Sequence, residues 1–239
     1  MNDPVIVPFW LAVAVSLLAS WALLERLLVP GVRWFFRRRL NLAIDELNQR
    51  LDLRLPAFKV TRRKILIEQL TYDPQVLAAV EAYCAEEGIP HKVAMDKAER
   101  YAREIVPSFN AYLYFRFGNW LARSAARFLY RVRMVYSDEA GIQAIAPDSS
   151  VVFVMNHRSN MDYILLAYMA VNRSALSYAV GEWARVWPVQ QLIRSLGAYF
   201  VRRNSGNKLY RRVLARYVQK ATQARVVQAV FPEGGLSRD

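Results

Sequence analysis

Two residues of the types that transfer protons stand close together in VMNHRSNMDY, residues 154–163. His157 directly follows the apolar run VVFVM, and Asp162 stands five positions after it. An imidazole takes a proton from an alcohol near neutral pH, and a carboxylate behind it fixes its tautomer and stabilises the imidazolium. There is a structural alternative, because Ser159-x-x-Asp162 also fits a capping box that stabilises the start of a helix. The spacing alone leaves both interpretations open.

A second group of residues suits the binding of a phosphate. The stretch GAYFVRR, residues 197–203, predicts a strand that ends in Arg202 and Arg203. Guanidinium groups at the carboxyl end of a strand, beside a helix amino terminus at NSGNK, are suited to two-point phosphate binding. The alternative is an ordinary basic surface, since residues 183–232 include ten Arg and Lys residues and no acidic residue.

A third motif is FPEGGLSRD, residues 231–239. We expect a strand to end at Phe231 and Pro232 to turn the chain. Glu233 follows, and the two glycines after it, beginning with Gly234, leave backbone N–H groups uncovered. On its own this motif favours a simple loop.

The elements that must position these residues are short β-branched runs that alternate with helical stretches. The runs are MVY, VVFVM, LSYAV, AYFV and VVQAVF. This alternation, with nearly continuous apolar strands, predicts an α/β fold with a mostly parallel, buried sheet and flanking helices. In open sheets of this kind, sites gather where strands end and helices begin. We therefore expect the imidazole and the carboxyl group to meet at the mouth of the sheet, facing a pocket lined with guanidinium groups.

The sequence from residue 40 to residue 130 predicts helices. In TYDPQVLAAVEAYCAEEGIP, Asp73 is the expected N-cap, with Pro74 at the first helical position and Gly88 at the end. The later stretch AYLYFRFGNWLARSAARFLYRVR is aromatic and basic, so it fits either a helix on a membrane surface or a core helix.

The amino-terminal segment is strongly apolar. Residues 4–24 run 21 positions without a charge, and as a helix they would span roughly 30 Å, the thickness of a bilayer core. A signal peptide would carry basic residues before the apolar run, and a core helix would carry a polar face. We therefore expect a transmembrane anchor at residues 1–30, a helical membrane-proximal region at 31–132 and an α/β domain at 133–239. The arginines at 37–39 then predict, by the positive-inside rule, a single-pass or membrane-associated protein of the cell membrane with a cytoplasmic catalytic domain.

The net charge of +13 favours anionic partners. Beside an anchor, anionic membrane lipid or an anionic substrate is favoured over nucleic acid, for which the basic run has no recognisable binding motif. Cys84 is the only cysteine, which excludes an internal disulfide. We expect no metal and no cofactor, because the other histidine, His91, lies in a plain helical segment and no cluster of ligating residue types is present.

Taken together and in this order, NHRSNMDY, GAYFVRR and FPEGG resemble the first three signature blocks of the glycerolipid acyltransferases. The resemblance is closest to the glycerol-3-phosphate and dihydroxyacetone-phosphate acyltransferase branch, and it covers roughly residues 71–239. It implies the glycerolipid acyltransferase fold and transfer of a fatty acyl group from acyl-CoA or acyl-carrier protein to the 1-hydroxyl of glycerol 3-phosphate. Acylation of lysophosphatidate or of dihydroxyacetone phosphate stays open, as does a non-catalytic basic module that docks on anionic membrane.

The resemblance also implies roles for individual residues. His157 would be the general base and Asp162 its orienting partner. The implied substrate-binding residues are Arg158, Ser159, Gly197, Arg202, Arg203, Lys208, Glu233 and Gly234.

The sequence departs from the family pattern at three points. Leu236 stands where an arginine is usual, with Arg238 as a possible substitute, and Asn160 stands where a histidine is common. A fourth block, a strand closing on proline, is expected beyond Asp239, so we expect the α/β domain to continue there.

Overall fold

The computed structural model describes residues 55–129, 131, 138–146, 149–159, 162–170, 175–202 and 205–233, together with Trp10, Val13, residues 15–18 and Trp21. Residues 1–49 and residues 50–239 form two separate compact units. In the first unit, the described residues are helical and exposed. Among the residues described, no helix is both long enough and apolar enough to cross a membrane. Most of the expected anchor lies outside the described residues, so the anchor stays a prediction.

Four helices open the second unit: α1 (Ala57–Val60), α2 (Arg63–Thr71), α3 (Pro74–Glu87) and α4 (His91–Ile105). Helix α3 begins and ends where the sequence predicts. Asp73 is its N-cap and accepts the backbone N–H of Gln75 at 3.1 Å, while Pro74 occupies the first position, where a missing N–H costs nothing. Gly88 ends the helix at a φ of 64°, a left-handed conformation that glycine adopts without strain.

The following elements lead into the sheet. A π-helical turn (Leu113–Gly118) continues into α5 (Asn119–Leu129), and a short helix α6 (Glu139–Gln143) comes next. The α/β part consists of β1 (Val152–Val154), α7 (Asp162–Ala170), β2 (Ser177–Val180), a 3₁₀ turn (Glu182–Ala184), α8 (Val189–Ser195), β3 (Tyr199–Phe200), α9 (Lys208–Gln223) and β4 (Gln228–Val230). The predicted strand MVY, residues 134–136, lies outside the described residues.

The four described strands form one parallel sheet in the order β1-β4-β2-β3. Val152 lies opposite Gln228 at one side of the sheet, and Ala179 lies opposite Tyr199 at the other. The predicted mostly parallel sheet with flanking helices is therefore confirmed. Because all four strands run the same way, their carboxyl ends share one edge, and this geometry decides where the site lies.

Helix α9 joins the helical region to the sheet. It packs against α3 and α4, and its Tyr210 and Val213 are buried in the core that these helices form. Arg216 and Lys220 of α9 pair with the buried carboxylate of Asp73, at 2.8 and 3.0 Å. The two parts thus share a core, and the expected domain boundary at residue 133 stays a prediction.

Lys59 of α1 binds the amino edge of the sheet, which lies opposite the edge that carries the carboxyl ends of the strands. It is 7% exposed, and its ammonium group donates to the carbonyl oxygens of Ala175, at 2.6 Å, and Leu176, just before β2. The same nitrogen lies 4.7 Å from the centre of the Phe109 ring. Burial lowers the pKa of Lys59 well below its ordinary value. This contact ties α1 to the amino edge of the sheet.

Candidate active site

A cavity of about 240 Å³ lies at the carboxyl edge of the sheet. Its walls include Gly181 after β2, Val201 after β3 and Phe231 after β4, each the first residue beyond its strand. His157, three residues after β1, also lines the cavity, as does Tyr163 from the first turn of α7. The structure thus brings His157 to the edge of the sheet where the sequence predicts it.

Asp162 meets His157 from the first residue of α7. The distance from His157 Nδ1 to Asp162 Oδ2 is 3.2 Å, within hydrogen-bonding range. The same carboxylate oxygen accepts the backbone N–H groups of Arg158 and Ser159, each at 2.8 Å. Three N–H groups around one oxygen hold the carboxylate in a single orientation. Asp162 therefore orients the imidazole and also caps the turn, so the two interpretations of the sequence are compatible.

The imidazole is almost fully enclosed. His157 is 2% exposed, and its ring centre lies 4.5 Å from that of Phe231 and 5.3 Å from that of Tyr163. When Nδ1–H is donated to Asp162, Nε2 carries the free lone pair. Nε2 is buried and has no hydrogen-bond partner among the described residues. An unpaired buried polar atom is costly, and a substrate hydroxyl in the cavity would satisfy it by donating to it.

Two aromatic residues hold the histidine ring in place. The hydroxyl of Tyr163 donates to the carbonyl oxygen of Ala179 at 3.3 Å, and its ring centre lies 5.0 Å from that of Phe231. Sequence reasoning did not assign either residue a role at the site. Their positions in the sequence could have indicated such a role, since Tyr163 lies in VMNHRSNMDY and Phe231 in FPEGGLSRD. The structure shows that the two rings form the apolar walls around the base.

Arg202, which directly follows the cavity residue Val201, belongs to a cluster of guanidinium groups. Its Nε and Nη2 form a bidentate pair with Glu104 of α4, at 2.9 and 2.6 Å. Arg185 pairs with the same carboxylate, and Arg194 donates to the backbone carbonyl of Glu104 at 2.9 Å. Sequence reasoning missed Glu104, because nothing in a helical residue 98 positions before Arg202 signals this contact.

This cluster keeps a surplus of positive charge, because one carboxylate faces three guanidinium groups. Burial raises the pKa of Glu104, but hydrogen bonds from Arg202 and Arg185 outweigh it and leave that pKa below its ordinary value. The Nε atoms of Arg185 and Arg194 are buried and have no partner among the described residues. Such an arrangement suits an anion. Within the described part of the chain, no group of three or more His, Cys, Asp or Glu residues could hold a metal ion.

The expected lining of guanidinium groups is not found, because no arginine among the described residues lines the cavity, and Arg202 binds Glu104. Two other predicted substrate-binding residues lie farther from His157. Lys208 begins α9, pairs with Glu86 of α3 and lines a separate groove between these helices. Gly197 precedes β3 at the amino edge of the sheet, with a φ of 92°. A Cβ at Gly197 would lie 3.0 Å from the carbonyl oxygen of Leu176, so the position requires glycine for packing. The structure does not bring these two residues to His157.

The remaining predicted site residues lie near the cavity or outside the described residues. Arg158 has an exposed side chain next to His157, and Glu233 is exposed two positions after Phe231. Arg203 and Gly234 lie outside the described residues, as do Asn160, Leu236 and Arg238. The substrate-binding roles of all these residues stay predictions.

Residues 137–239 match the family model described as Acyltransferase. The chain is 32% identical over 183 residues to a protein named glycerol-3-phosphate acyltransferase from Aeromonas hydrophila subsp. hydrophila, covering 75% of this chain and 23% of that relative. It is 33% identical over 182 residues to a protein of the same name from Alteromonas mediterranea, covering 72% of this chain and 22% of that relative. The chain thus matches less than a quarter of the length of each of these relatives.

Proposed function

This chain belongs to the acyltransferase family, and on that basis we propose that it transfers a fatty acyl group from acyl-CoA or acyl-carrier protein to the 1-hydroxyl of glycerol 3-phosphate. The names of the two relatives support this acceptor. One observation carries the proposal: the buried imidazole of His157 is held at Nδ1 by Asp162, while Nε2 has no partner among the described residues.

The geometry supports a direct transfer with His157 as the general base. The acceptor hydroxyl donates to Nε2 and loses its proton as its oxygen attacks the thioester carbonyl carbon. Asp162 stabilises the imidazolium that forms, since its carboxylate already accepts Nδ1–H. The tetrahedral intermediate then expels the thiolate, which takes the proton from Nε2. The thioester is reactive enough that activating and positioning the hydroxyl suffices, and no acyl-enzyme intermediate is needed.

The arginine cluster supports binding of the acceptor's phosphate at the same edge. Arg202 follows Val201, which lines the cavity, and the pairing with Glu104 fixes its guanidinium while 41% of its side chain stays exposed. Because Arg185 and Arg194 also contact Glu104, one carboxylate faces three guanidinium groups and the cluster keeps a net positive charge. A phosphate bound here would hold the rest of the acceptor near His157, which is the positioning that the transfer requires.

We also propose that the protein works at the cytoplasmic face of the cell membrane, with anionic lipid as a partner. The uncharged run of residues 4–24 and the net charge of +13 support this location. A membrane-bound enzyme would meet its acyl donor and retain its lipid-soluble product at the same surface.

The proposal is tested by measuring thiol release with the purified chain, an acyl-CoA and each of three acceptors: glycerol 3-phosphate, lysophosphatidate and dihydroxyacetone phosphate. We expect turnover to be fastest with glycerol 3-phosphate. Exchange of His157 for alanine should lower kcat by about 10³-fold or more, because general-base catalysis and oriented attack are both lost.

The matched control is His91→Ala, since His91 is the other histidine and its side chain is exposed at the start of α4. This variant should keep the wild-type rate. Circular dichroism and thermal unfolding should show that both variants fold. Wild-type turnover in His157→Ala, or no turnover of the unmodified chain with any acceptor, would contradict the proposal.

A further inference from the structure

We infer that an exposed aromatic face of α5 docks the protein on the surface of an anionic lipid bilayer. The face consists of Phe117, at the end of the π-helical turn, and Trp120, Leu121 and Phe128 of α5. The inference rests on the proposed function, because an enzyme that handles fatty acyl groups needs a route between its cavity and lipid. It goes further by naming the surface that makes the contact.

One side of α5 is made of small residues and is buried. Ala122 and Ala126, one helical turn apart, are 6% and 0% exposed. Just before the helix, a Cβ at Gly118 would lie 2.7 Å from a methyl carbon of Leu196, so the π-helical turn packs closely on the end of α8. These small side chains let α5 lie close to its neighbours, which include α7.

Three large apolar side chains of α5 point the other way. Trp120 is 61% exposed, Leu121 37% and Phe128 88%, and Phe117 in the preceding turn is 39% exposed. The rings of Phe117 and Trp120 lie 6.0 Å apart, so they form one continuous surface. A surface with its large residues outside and its small residues inside reverses the usual order for a helix in water. Contiguous exposed patches of this kind mark interaction sites.

The charges along this segment select an anionic partner. Arg123 and Arg127 are exposed on α5, and Arg131 is exposed just beyond it. From residue 105 to residue 137 the sequence contains no acidic residue. Trp and Phe flanked by arginines fit the boundary between lipid headgroups and acyl chains, where the rings enter the apolar layer and the guanidinium groups bind phosphates. An extended anionic surface satisfies all of these groups together.

The position of α5 connects this surface to the cavity. Helix α5 packs against α7, whose first residue is Asp162 and whose first turn carries Tyr163, a wall of the cavity. A bilayer in contact with the outer face of α5 would therefore lie behind the helix that carries Asp162 and Tyr163. The acyl chain of a substrate or product would have a short distance to cover between lipid and cavity.

A probe on the face tests the contact directly, even if residues 4–24 already hold the chain on the vesicle. A fluorescent label is attached at Ser124→Cys, an exposed position of α5, in a Cys84→Ser background. The matched control carries the label at Glu81→Cys, an exposed position of α3. Vesicles contain phosphatidylglycerol, phosphatidylcholine and a spin-labelled lipid. We expect strong quenching at position 124 and little at position 81.

A second variant measures the contribution of the aromatic face to binding. We expect Phe128→Ser to weaken binding to phosphatidylglycerol vesicles by about 10-fold, since the side chain is 88% exposed. The control Tyr72→Ser removes another exposed aromatic ring, 66% exposed at the end of α2, and should leave binding unchanged. Thiol release from a short-chain, water-soluble acyl-CoA should be the same in both variants and the wild type.

The results separate this inference from the proposed function. Equal quenching at positions 124 and 81 in vesicle-bound protein would overturn the docking surface, whatever the enzyme assay shows. A label at position 124 that is shielded without vesicles would also overturn it, because residues 1–49 or a second copy of the chain would then cover the face. Quenching at position 124 in a chain without turnover would leave the docking surface standing and contradict the acyl transfer.

Discussion

Exchange of Asp162 for asparagine separates the two roles that the structure gives this residue. Asp162 Oδ2 accepts Nδ1–H of His157 at 3.2 Å and the N–H groups of Arg158 and Ser159 at 2.8 Å. Asparagine has nearly the same shape as aspartate, and its amide oxygen in the place of Oδ2 can accept the two backbone N–H groups of the preceding residues. Its amide oxygen can also accept Nδ1–H of His157, but asparagine has no negative charge to stabilise an imidazolium.

Asp162→Asn should lower the turnover rate and leave the stability of the fold nearly unchanged. We expect Asp162→Asn to lower kcat by about 10³-fold, or about 4 kcal/mol, because the transition state loses its compensating charge while ground-state binding is retained. The free energy of unfolding should change by less than about 1 kcal/mol, since the cap is kept. Asp162→Ala should lower kcat to a similar extent and should also lower the free energy of unfolding by about 1–2 kcal/mol, because the backbone N–H groups lose their acceptor.

The assay is steady-state thiol release with glycerol 3-phosphate varied, together with chemical unfolding of both variants. A pure capping role makes the opposite prediction: Asp162→Asn would retain the wild-type kcat, and only the alanine variant would be impaired, through its stability. Wild-type kcat in the asparagine variant would therefore refute the assignment of Asp162 as the partner of the base.

Three further perturbations follow from the ion pairs and buried charges. Glu104→Gln should raise KM for glycerol 3-phosphate about 10-fold with kcat retained, because Arg202 loses its bidentate anchor; an unchanged KM would contradict this. Asp73→Asn should cost about 3 kcal/mol of unfolding free energy at neutral pH. Burial raises the pKa of Asp73, but hydrogen bonds from Lys220 and Arg216 leave it below 3.8. The difference in unfolding free energy between Asp73→Asn and the wild type should therefore disappear as pH falls through that lowered pKa. Urea titrations at several pH values measure it. Burial lowers the pKa of Lys59 in the folded protein below the 10.5 of the unfolded chain. Between the folded-state pKa and 10.5, the free energy of unfolding of the wild type should therefore rise by about 1.4 kcal/mol per pH unit relative to Lys59→Met. Parallel curves of stability against pH for the two proteins would contradict this.

Features decided by neighbouring residues could be predicted from the sequence. The cap at Asp73, the proline after it and the left-handed end at Gly88 depend only on local sterics and short-range hydrogen bonds, and all three are present. The alternation of apolar runs with helical stretches predicted a parallel sheet for the same reason. Once the strands are parallel, their carboxyl ends coincide, and His157 and Asp162, only five positions apart, meet there.

Contacts between distant segments could not be predicted in this way. The stretch GAYFVRR was treated as one site block, yet its first and sixth residues lie at opposite ends of β3. A strand rises about 3.3 Å per residue, so Gly197 and Arg202 are separated by up to about 17 Å. The partner of Arg202 is Glu104, and the contacts of Lys59 are 116 and 117 residues away. A periodic pattern indicates that a face is buried but not which segment covers it.

The sequence by itself determined the strand that precedes His157, the short separation between His157 and Asp162, and the parallel direction of the sheet. These features depend on backbone sterics and apolar periodicity over a few residues. Only the tertiary structure decided that Phe231 and Tyr163 enclose the imidazole, that Glu104 fixes the arginines, and that α5 exposes its aromatic side chains. Those outcomes depend on how segments that are far apart in the chain share the buried volume, and each arises from the packing of the whole unit.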